Sequence, residues 1–340
     1  MTQNNENLTT ENCNYKTKDF WYESSGCSMK TSDFWYDSCG IGRIHGCKWL
    51  PEGQVRAVVQ IVHGIVEHVE RYDEFAQYLN SKGIAVVAED HMGHGQSVNE
   101  GGIQGYFHGG WFSAVEDSYR LLQDTRAEYP EIPYILLGHS LGSFMARTIL
   151  YLHPDSGISG AVLSGTAWKF PKAMPAVEKA VDMICWKVGE TNVSQMMLDL
   201  AFGSMNARIE HPRKPADWVC RDNRIVDIHP MTLGVQPTAG LLRDMVVGVR
   251  AIEQKKHLEM MKKDLPVLFV SGGDDPVGDY GKGVHACADA FRAVGMTDVS
   301  VRIYPLCRHE ILNEINKEEI FENILAWIEK KDITGNKSVL

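Results

Sequence analysis

The stretch Tyr134-Ile135-Leu136-Leu137-Gly138-His139-Ser140-Leu141-Gly142 decides the fold class and supplies the first candidate functional residue. Its apolar start predicts a buried strand, and the residues after Gly142 are helix-forming. Between them, Gly138 to Gly142 fit the pattern G-x-S-x-G. A serine on a tight turn between strand and helix projects above the sheet edge, and the flanking glycines let chains pass where a Cβ would clash. This context favours Ser140 as a nucleophile over an incidental serine in a glycine-rich turn.

Strands and helices alternate on both sides of this stretch. The apolar pattern predicts strands over Val55–Val62, Ile84–Glu89, Pro133–Leu137, Gly160–Leu163, Pro266–Val270 and Val299–Tyr304. Helical spacing predicts helices over Arg71–Lys82, Trp111–Tyr129, Leu141–Leu152 and Glu310–Lys331. Such alternation is typical of an α/β fold with a mostly parallel sheet and helices on both faces.

The alternation stops between Gly165 and about Lys263, where no clear strand is present. Helical patterns occur there instead, for example over Ala176–Val188 and Ser194–Phe202. The segment is too long for a simple connection. We expect residues 166–263 to form a helical cap, inserted between two parts of the core at residues 30–165 and 264–340.

The N-terminal region contains a near-repeat. Lys16–Gly26 reads KTKDFWYESSG, and Lys30–Gly40 reads KTSDFWYDSCG. Both copies are typical of short aromatic strands, and the second runs into a hairpin-like stretch, so we expect it to enter the sheet. The first copy could be an extra edge strand, a swapped strand, a partner contact or a loosely held leader. Residues 1–15 have too few apolar side chains to offset the entropy of ordering, so residues 1–29 are predicted to be a partly disordered leader.

Composition limits the classes of partner and compartment. With 34 basic and 44 acidic residues, the 340-residue chain has a formal charge of −10 and no long basic run, which argues against nucleic acid as a partner. The start of the sequence lacks a signal-peptide pattern. No run of about 18 apolar residues occurs, so we expect no membrane span. Eight scattered cysteines without a CxxC pair indicate reduced thiols and a cytoplasmic location.

A serine hydroxyl needs a base to activate it, and the base needs an acid to orient it. The acid is expected after a late strand, where Asp274 and Asp275 follow Leu268–Gly273. We favour Asp275, with Asp274 as a turn or capping residue. His309 follows the last strand and is the predicted base. No catalytic role is predicted for the other twelve histidines: His45, His63, His68, His91, His94, His108, His139, His153, His211, His229, His257 and His285.

Two backbone N–H groups are expected to stabilise the oxyanion that forms during acyl transfer. One belongs to Leu141, the residue after the nucleophile. The other is predicted at Ile65, because Gly64 permits a tight turn at the end of the strand Val55–Val62. The alternative is an ordinary glycine at a strand end. The Ile65 side chain is free to line the acyl site.

Five segments together resemble a known family. His63–Tyr72 is similar to the HGxGEHxxRY segment of monoacylglycerol lipases and bacterial lysophospholipase-like hydrolases, and Asp90–Ser97 is similar to their DxxGHGxS loop. Gly138–Gly142 resembles their GHSxG turn, while Gly272–Gly278 and Arg308–Glu310 resemble the acid and base segments. The resemblance covers roughly residues 33–330. It implies an α/β-hydrolase fold and an acyl-enzyme mechanism on monoacylglycerols or lysophospholipids.

The resemblance also bears on individual positions. It supports Asp275 as the acid, three residues after the first glycine of its loop. It implies that Glu67, His68 and Arg71 form a structural polar network. Val66 stands where the family usually has glycine, which would narrow the acyl pocket or shift the loop.

Neither a cofactor nor a metal ion is expected. The spacings His63/His68 and Asp90/His91/His94 could suit metal ligands, but a serine triad needs no metal. A small-ester carboxylesterase or thioesterase remains an alternative, as does a non-catalytic binding protein on the same scaffold.

The predicted cap is rich in methionine and aromatic residues, which suits an acyl chain or simply packs the cap helices. They include Met174, Met183, Met196, Met197, Met205, Met231, Met245, Trp168, Trp186, Trp218 and Phe202. The sequence leaves open the oligomeric state and a transient contact of the cap with a membrane surface.

Overall fold

The computed structural model describes residues 30–98, 102–168 and 174–330. Its centre is an eight-stranded sheet in the order β1-β2-β4-β3-β5-β6-β7-β8. The strands are β1 (Lys30–Asp37), β2 (Arg43–Leu50), β3 (Ala57–Val62), β4 (Ile84–Glu89), β5 (Tyr134–His139), β6 (Gly160–Ser164), β7 (Val267–Gly272) and β8 (Val299–Tyr304). The six strands from β3 to β8 are parallel, and β1 and β2 form an antiparallel edge. This architecture confirms the predicted mostly parallel sheet.

Helices cover both faces of the sheet. They are α1 (Asp73–Asn80), α2 (Gly110–Glu128), α3 (Leu141–Leu152), α4 (Met174–Val188), α5 (Gln195–Phe202), α6 (Asn223–Asp227), α7 (Ala239–Ile252), α8 (Lys255–Met260), α9 (Lys282–Ala293) and α10 (Lys317–Lys330). Side chains of α1 and α10 share one apolar cluster, and those of α2, α3 and α9 share the other. Successive strand residues alternate between the clusters: Tyr134 and Leu136 enter one, Ile135 and Leu137 the other. The central strands are mainly apolar because both of their faces are buried.

Most predicted elements are present within a few residues of their expected bounds, but the last helix begins later than expected. It starts at Lys317, not at Glu310. The Glu310 N–H donates to the Val219 carbonyl at 2.7 Å. The buried Glu314 carboxylate accepts the Arg308 N–H at 2.7 Å. These bonds fix residues 308–314 in a conformation with only a short 3-10 helix at Ile311–Asn313, and the α-helix begins after them.

The second repeat copy enters the sheet, as predicted. β1 pairs with β2 over its whole length, from Lys30 opposite Leu50 to Asp37 opposite Arg43. The first copy, Lys16–Gly26, and the predicted disorder of residues 1–15 lie outside the described residues.

The segment between β6 and β7 holds α4 to α8, and its described residues include no strand. Helix α7 packs on α2, α3 and α4. The fully buried Arg147 of α3 donates through Nη1 to the Ala167 carbonyl at 2.8 Å and through Nη2 to the Ile252 carbonyl at 3.4 Å. One buried side chain of the core therefore bonds to the start of this helical segment and to the end of α7.

None of the described helices has the length and apolar composition needed to cross a bilayer.

Candidate active site

Ser140 lies at the sharp turn between β5 and α3. Its backbone has φ 53° and ψ −120°, a conformation that is costly for a residue with a side chain. A Cβ on Gly138 would lie 2.4 Å from the Gly142 carbonyl oxygen, and one on Gly142 would lie 1.9 Å from that of Val62. Both contacts are with backbone, which cannot move aside. The glycines are therefore required by the tight passage of α3 against the end of β3.

His309 and Asp275 meet at the same edge of the sheet. His309 Nδ1 lies 3.0 Å from Asp275 Oδ2, and the Asp275 side chain is fully buried. The other carboxylate oxygen accepts the Val277 N–H at 2.8 Å. Asp274 is exposed and makes its turn contact through the backbone, donating to the Cys307 carbonyl. The residue that contacts the imidazole is thus Asp275.

The charges of this pair support each other. Burial alone would lower the pKa of His309, but the Asp275 carboxylate outweighs it, so the pKa is raised above the ordinary 6.5. Burial alone would raise the pKa of Asp275, but His309 and the Val277 N–H bring it below its ordinary value. The arrangement favours an ionised carboxylate that stabilises a protonated imidazole.

The second ring nitrogen of His309, Nε2, is buried and has no hydrogen-bond partner among the described residues. The ring lies beside those of His139 and Trp218, with centroids 4.8 and 4.9 Å away. A Cβ on Gly165, which has φ 58°, would lie 2.8 Å from His309 Cε1. These three neighbours restrict the position of the ring, while Nε2 keeps its capacity to exchange a proton.

The loop after β3 lies against the Ser140 side chain. A Cβ on Gly64 would be 3.2 Å from the Ser140 Cβ. The buried Glu67 carboxylate accepts the Gly64 N–H at 3.0 Å and the Tyr72 hydroxyl at 2.7 Å, which fixes the loop. Ile65 follows Gly64 directly in this loop. Leu141 is the first residue of α3, so its N–H precedes the hydrogen bonds of that helix.

Val66 occupies the third position of a turn that the Glu67 N–H closes on the Gly64 carbonyl. Its φ is 56°, in the left-handed region that a β-branched residue rarely adopts. The side chain is buried in the main apolar cluster beside Ile65. A glycine would meet the backbone demand without strain, and burial of the valine methyl groups offsets the strain here.

A buried polar network lies behind His309. Arg71 Nη2 lies 2.6 Å from Glu310 Oε2, and His229 Nε2 lies 3.1 Å from Glu310 Oε1. Burial would raise the pKa of Glu310, but Arg71 and His229 lower it well below its ordinary value. His139 Nε2 is 3.7 Å from the Glu67 carboxylate. Sequence reasoning gave Arg71 and Glu67 only through family resemblance and missed His229, which has no motif around it.

Ligand atoms of Glu67, His229 and Glu310 lie within 4.8 Å of one another, a spacing that could suit a cation. Arg71 already supplies a positive charge against Glu310. These residues differ from the His63/His68 and Asp90/His91/His94 sets considered from the sequence.

Three buried histidines support the loop after β3. His63 Nε2 accepts the His91 N–H at 3.0 Å, and its Nδ1 donates to the Gly64 carbonyl at 2.8 Å. Burial lowers the pKa of His63 well below its usual range and that of His94 to about 4. The lowered pKa values favour uncharged imidazoles at His63 and His94, close to the loop beside Ser140.

The geometry has counterparts among known proteins. The family model described as Serine aminopeptidase, S33 matches residues 53–316. A monoacylglycerol lipase from Mycolicibacterium smegmatis is 28% identical over 288 residues, which cover 82% of this chain and 90% of the relative. Monoglyceride lipase from Homo sapiens is 26% identical over 295 residues, covering 84% and 87%. The crystal structure of a highly thermostable carboxyl esterase from Bacillus coagulans, in complex with glycerol, has a TM-score of 0.79 at 28% identity, covering 93% of this chain and 99% of the esterase.

The sheet order, the strained serine turn and the strand-end acid and histidine are those of a serine hydrolase with the α/β-hydrolase fold. The chain belongs to the Serine aminopeptidase, S33 family and, with its lipase and esterase relatives, to the carboxylic ester hydrolases.

Proposed function

We propose that this hydrolase cleaves monoacylglycerols or lysophospholipids through an acyl-enzyme formed on Ser140. His309 takes the Ser140 proton as the hydroxyl attacks the acyl carbonyl, and Asp275 stabilises the imidazolium. The N–H groups of Ile65 and Leu141 hold the oxyanion. Collapse of the tetrahedral intermediate releases the alcohol, which takes the proton from His309. Water then attacks the acyl-enzyme by the same route and releases the fatty acid.

The observation that carries this mechanism is the state of the His309 ring. Its Nδ1 is bonded to a fully buried carboxylate, and its buried Nε2 has no partner among the described residues. A base of this kind needs one nitrogen fixed and the other available. The raised pKa of His309 suits a group that accepts a proton during the reaction.

We also propose a division of the chain into a core of residues 30–165 and 264–340 and a cap of residues 166–263, with residues 1–29 as a leader. Two contacts support a cap close to the base. The rings of Trp218 and His309 are adjacent, and Arg308 Nη1 donates to the carbonyls of Asp217 and Cys220 at 2.6 and 2.9 Å. The cap segment around Trp218 would then line the approach to Ser140.

The monoacylglycerol assignment is supported by the names of two relatives that align over most of this chain. The carboxyl esterase of similar identity favours a smaller ester as the second candidate. The two candidate functions predict a different dependence of kcat/KM on acyl length. Only a site that binds a long acyl chain gains binding energy from each added methylene.

A substrate series tests the proposal. Monoacylglycerols and lysophosphatidylcholines with acyl chains from butyryl to oleoyl are compared with 4-nitrophenyl acetate and leucine 4-nitroanilide. We expect kcat/KM to rise at least tenfold from short to long acyl chains, with no turnover of the anilide. Ser140→Ala is expected to abolish all turnover while leaving the circular dichroism spectrum unchanged. Activity confined to acetyl and butyryl esters would refute the lipid assignment, and normal activity of Ser140→Ala would refute the nucleophile.

We further propose that the cap touches membrane surfaces transiently. Large apolar side chains of α4 and α5 are exposed: Met183 (58%), Trp186 (83%), Met196 (67%) and Leu200 (71%). Exposed apolar side chains of this size suit the interface where a lipid substrate resides. In flotation with phosphatidylcholine vesicles, the double variant Trp186→Ser and Leu200→Ser is expected to bind less than wild type, while Ile41→Ser, another exposed apolar position, is unchanged. Equal binding by all three would refute the contact.

A cytoplasmic location with reduced thiols remains a prediction from the cysteine pattern.

A further inference from the structure

We propose that the two repeat copies compete for one position in the sheet: the first copy, Lys16–Gly26, can replace β1 beside β2 after a shift of fourteen residues. This inference concerns the edge of the fold and does not depend on the proposed substrate. It rests on the contacts that hold β1, and on which of these contacts the first copy can reproduce.

Three positions at the end of β1 and just beyond it contact the interior of the protein. The Tyr36 hydroxyl reaches the buried carboxylate of Glu89 and lies 3.1 Å from the Asp117 carbonyl oxygen. The Ser38 hydroxyl donates to Asp117 Oδ2 at 2.6 Å. A Cβ on Gly40 would lie 2.0 Å from the His108 carbonyl oxygen, so this position requires glycine.

Three further contacts of β1 are equally specific. Asp33 Oδ1 lies 3.3 Å from His45 Nε2. The Trp35 ring lies against His45, with centroids 5.1 Å apart. The Phe34 ring fills the space above Gly46, where a Cβ would be 2.1 Å from Phe34 Cζ. Each contact needs a particular side chain at a particular register.

The first copy carries the same residue at every one of these positions. The corresponding residues are Asp19, Phe20, Trp21, Tyr22, Ser24 and Gly26. The copies differ only where the first has Lys18, Glu23 and Ser25 and the second has Ser32, Asp37 and Cys39. Asp37 and Cys39 are exposed and Ser32 is half-buried. The identical positions thus include every contact named above, and two of the three varied positions are exposed.

The pattern of identical residues distinguishes two possibilities for the first copy. It could replace β1 beside β2, or it could add a further strand on the outer side of β1. A strand added beyond β1 would face solvent-side groups and would gain nothing from a phenol, a hydroxyl and a glycine spaced to reach Glu89, Asp117 and His108. Among the described residues, these partners lie together beside the position that β1 occupies. The repeated residues therefore point to the β1 position as the site that the first copy fits.

The chain connection permits the exchange. Five residues, 38–42, join β1 to β2. After the shift, Glu23 would stand in the place of Asp37, and residues 24–42 would form the connection. Lengthening a loop from five to nineteen residues is nearly two doublings, which disfavours closure by a factor of roughly seven. The shifted register is thus a minor state within reach, in which Lys30–Gly40 becomes part of a loop.

Disulfide trapping tests the exchange in the full chain. Asp33 lies directly opposite Cys47 in the β1–β2 ladder. Asp33→Cys is the positive control and is expected to cross-link to Cys47 under mild oxidation. Asp19→Cys is expected to form the same intramolecular link at a rate roughly sevenfold lower, since only the shifted register brings residue 19 opposite Cys47. Glu23→Cys, which would face Arg43 in that register, is the negative control.

Peptide mapping without reduction identifies the linked cysteines. If Asp19→Cys links to Cys47 no faster than Glu23→Cys does, while Asp33→Cys links readily, the exchange is refuted. A link from residue 19 that joins only two separate chains would also overturn the intramolecular exchange.

A double-mutant cycle gives an independent readout. Tyr22→Ala alone is expected to leave the urea midpoint unchanged. Tyr36→Ala is expected to raise the unfolding equilibrium constant by no more than about tenfold, because the first copy takes over the position. The double variant should raise it by on the order of a hundredfold or more, as for loss of a buried aromatic side chain. If Tyr22→Ala has no effect in the Tyr36→Ala background, the two copies do not exchange.

Discussion

Replacing Asp275 by asparagine isolates the contribution of one carboxylate oxygen. Asp275 Oδ1 accepts the Val277 N–H at 2.8 Å, and a backbone N–H can only donate. The asparagine carbonyl must therefore take this position. Its NH2 group then replaces Oδ2, which is 3.0 Å from His309 Nδ1 and 3.2 Å from the Ser271 hydroxyl. The NH2 donates to Nδ1, and the single proton of the neutral ring moves to Nε2.

A proton on Nε2 prevents His309 from accepting the Ser140 proton. The same exchange of tautomer in a serine protease triad lowers kcat by about 10⁴, equivalent to about 5.5 kcal/mol in the barrier. We expect a loss of this size in kcat for Asp275→Asn, with little change in KM. The fold should persist, because the amide occupies the same volume and the Ser271 hydroxyl can rotate to accept.

The assay is hydrolysis of a 4-nitrophenyl ester, with circular dichroism as a check on folding. Asp274→Asn is the matched control, since its side chain is exposed and its turn contact is made by the backbone. We expect that variant to remain within about twofold of wild type, as is usual for an exposed substitution. If Asp275→Asn keeps more than about a tenth of the activity, or if Asp274→Asn falls as far, the assignment of the acid is wrong.

Three further predictions concern pH and backbone strain. Burial lowers the pKa of His309 and the Asp275 carboxylate raises it, and the net result is a pKa above 6.5. We therefore expect kcat/KM to fall with decreasing pH through a midpoint above 6.5. A midpoint clearly below that value would contradict the assignment of His309 as the base. Val66→Gly should be more stable than Val66→Ala by about 1 kcal/mol in urea titrations, because both lose the buried methyl groups but only alanine keeps the strain of φ 56°; the reverse order would show that Val66 is unstrained. Burial and the Glu89 charge raise the pKa of Asp117 from 3.8 to about 7, so protonation favours the folded state and stability should decrease by about 3 kcal/mol from pH 5 to pH 8. Asp117→Asn should flatten that decrease, and an unchanged pH profile in this variant would assign it to other groups.

The core strands and the elements around Ser140 could be predicted from sequence because their signals are local. β4 and α3 have the predicted bounds, since a continuous apolar run and helical spacing coincide with burial there. The edge strand β8 also has its predicted bounds, although it is mostly half-buried and alternates apolar with polar residues. The residues Asp275 and His309 were predicted from chain order, and the structure brings them together at 3.0 Å.

The remaining features depend on contacts that are distant in sequence. The late start of α10 results from bonds between residues 308–314 and the segment around Val219, which no local pattern reveals. His229 lies beside Glu310 only because the helical segment folds back over the sheet. Val66 was recognised as a departure from the family, but its positive φ is visible only in the structure.

Arg147 illustrates a similar limit. From sequence it is one polar residue in an apolar helix, yet it is fully buried and bonded to the carbonyls of Ala167 and Ile252. A helical pattern shows which residues face inward. It does not show which backbone carbonyl groups of a distant segment will accept a hydrogen bond from them.

The central claim is that Ser140 is the nucleophile of this hydrolase. The most direct measurement is mass spectrometry of the intact protein and its peptides after reaction with a fluorophosphonate probe. We predict one adduct per chain, located on the peptide that contains Ser140, and none on the folded Ser140→Ala variant. An adduct on another residue, or persistent failure of the folded wild-type protein to react, would contradict the account.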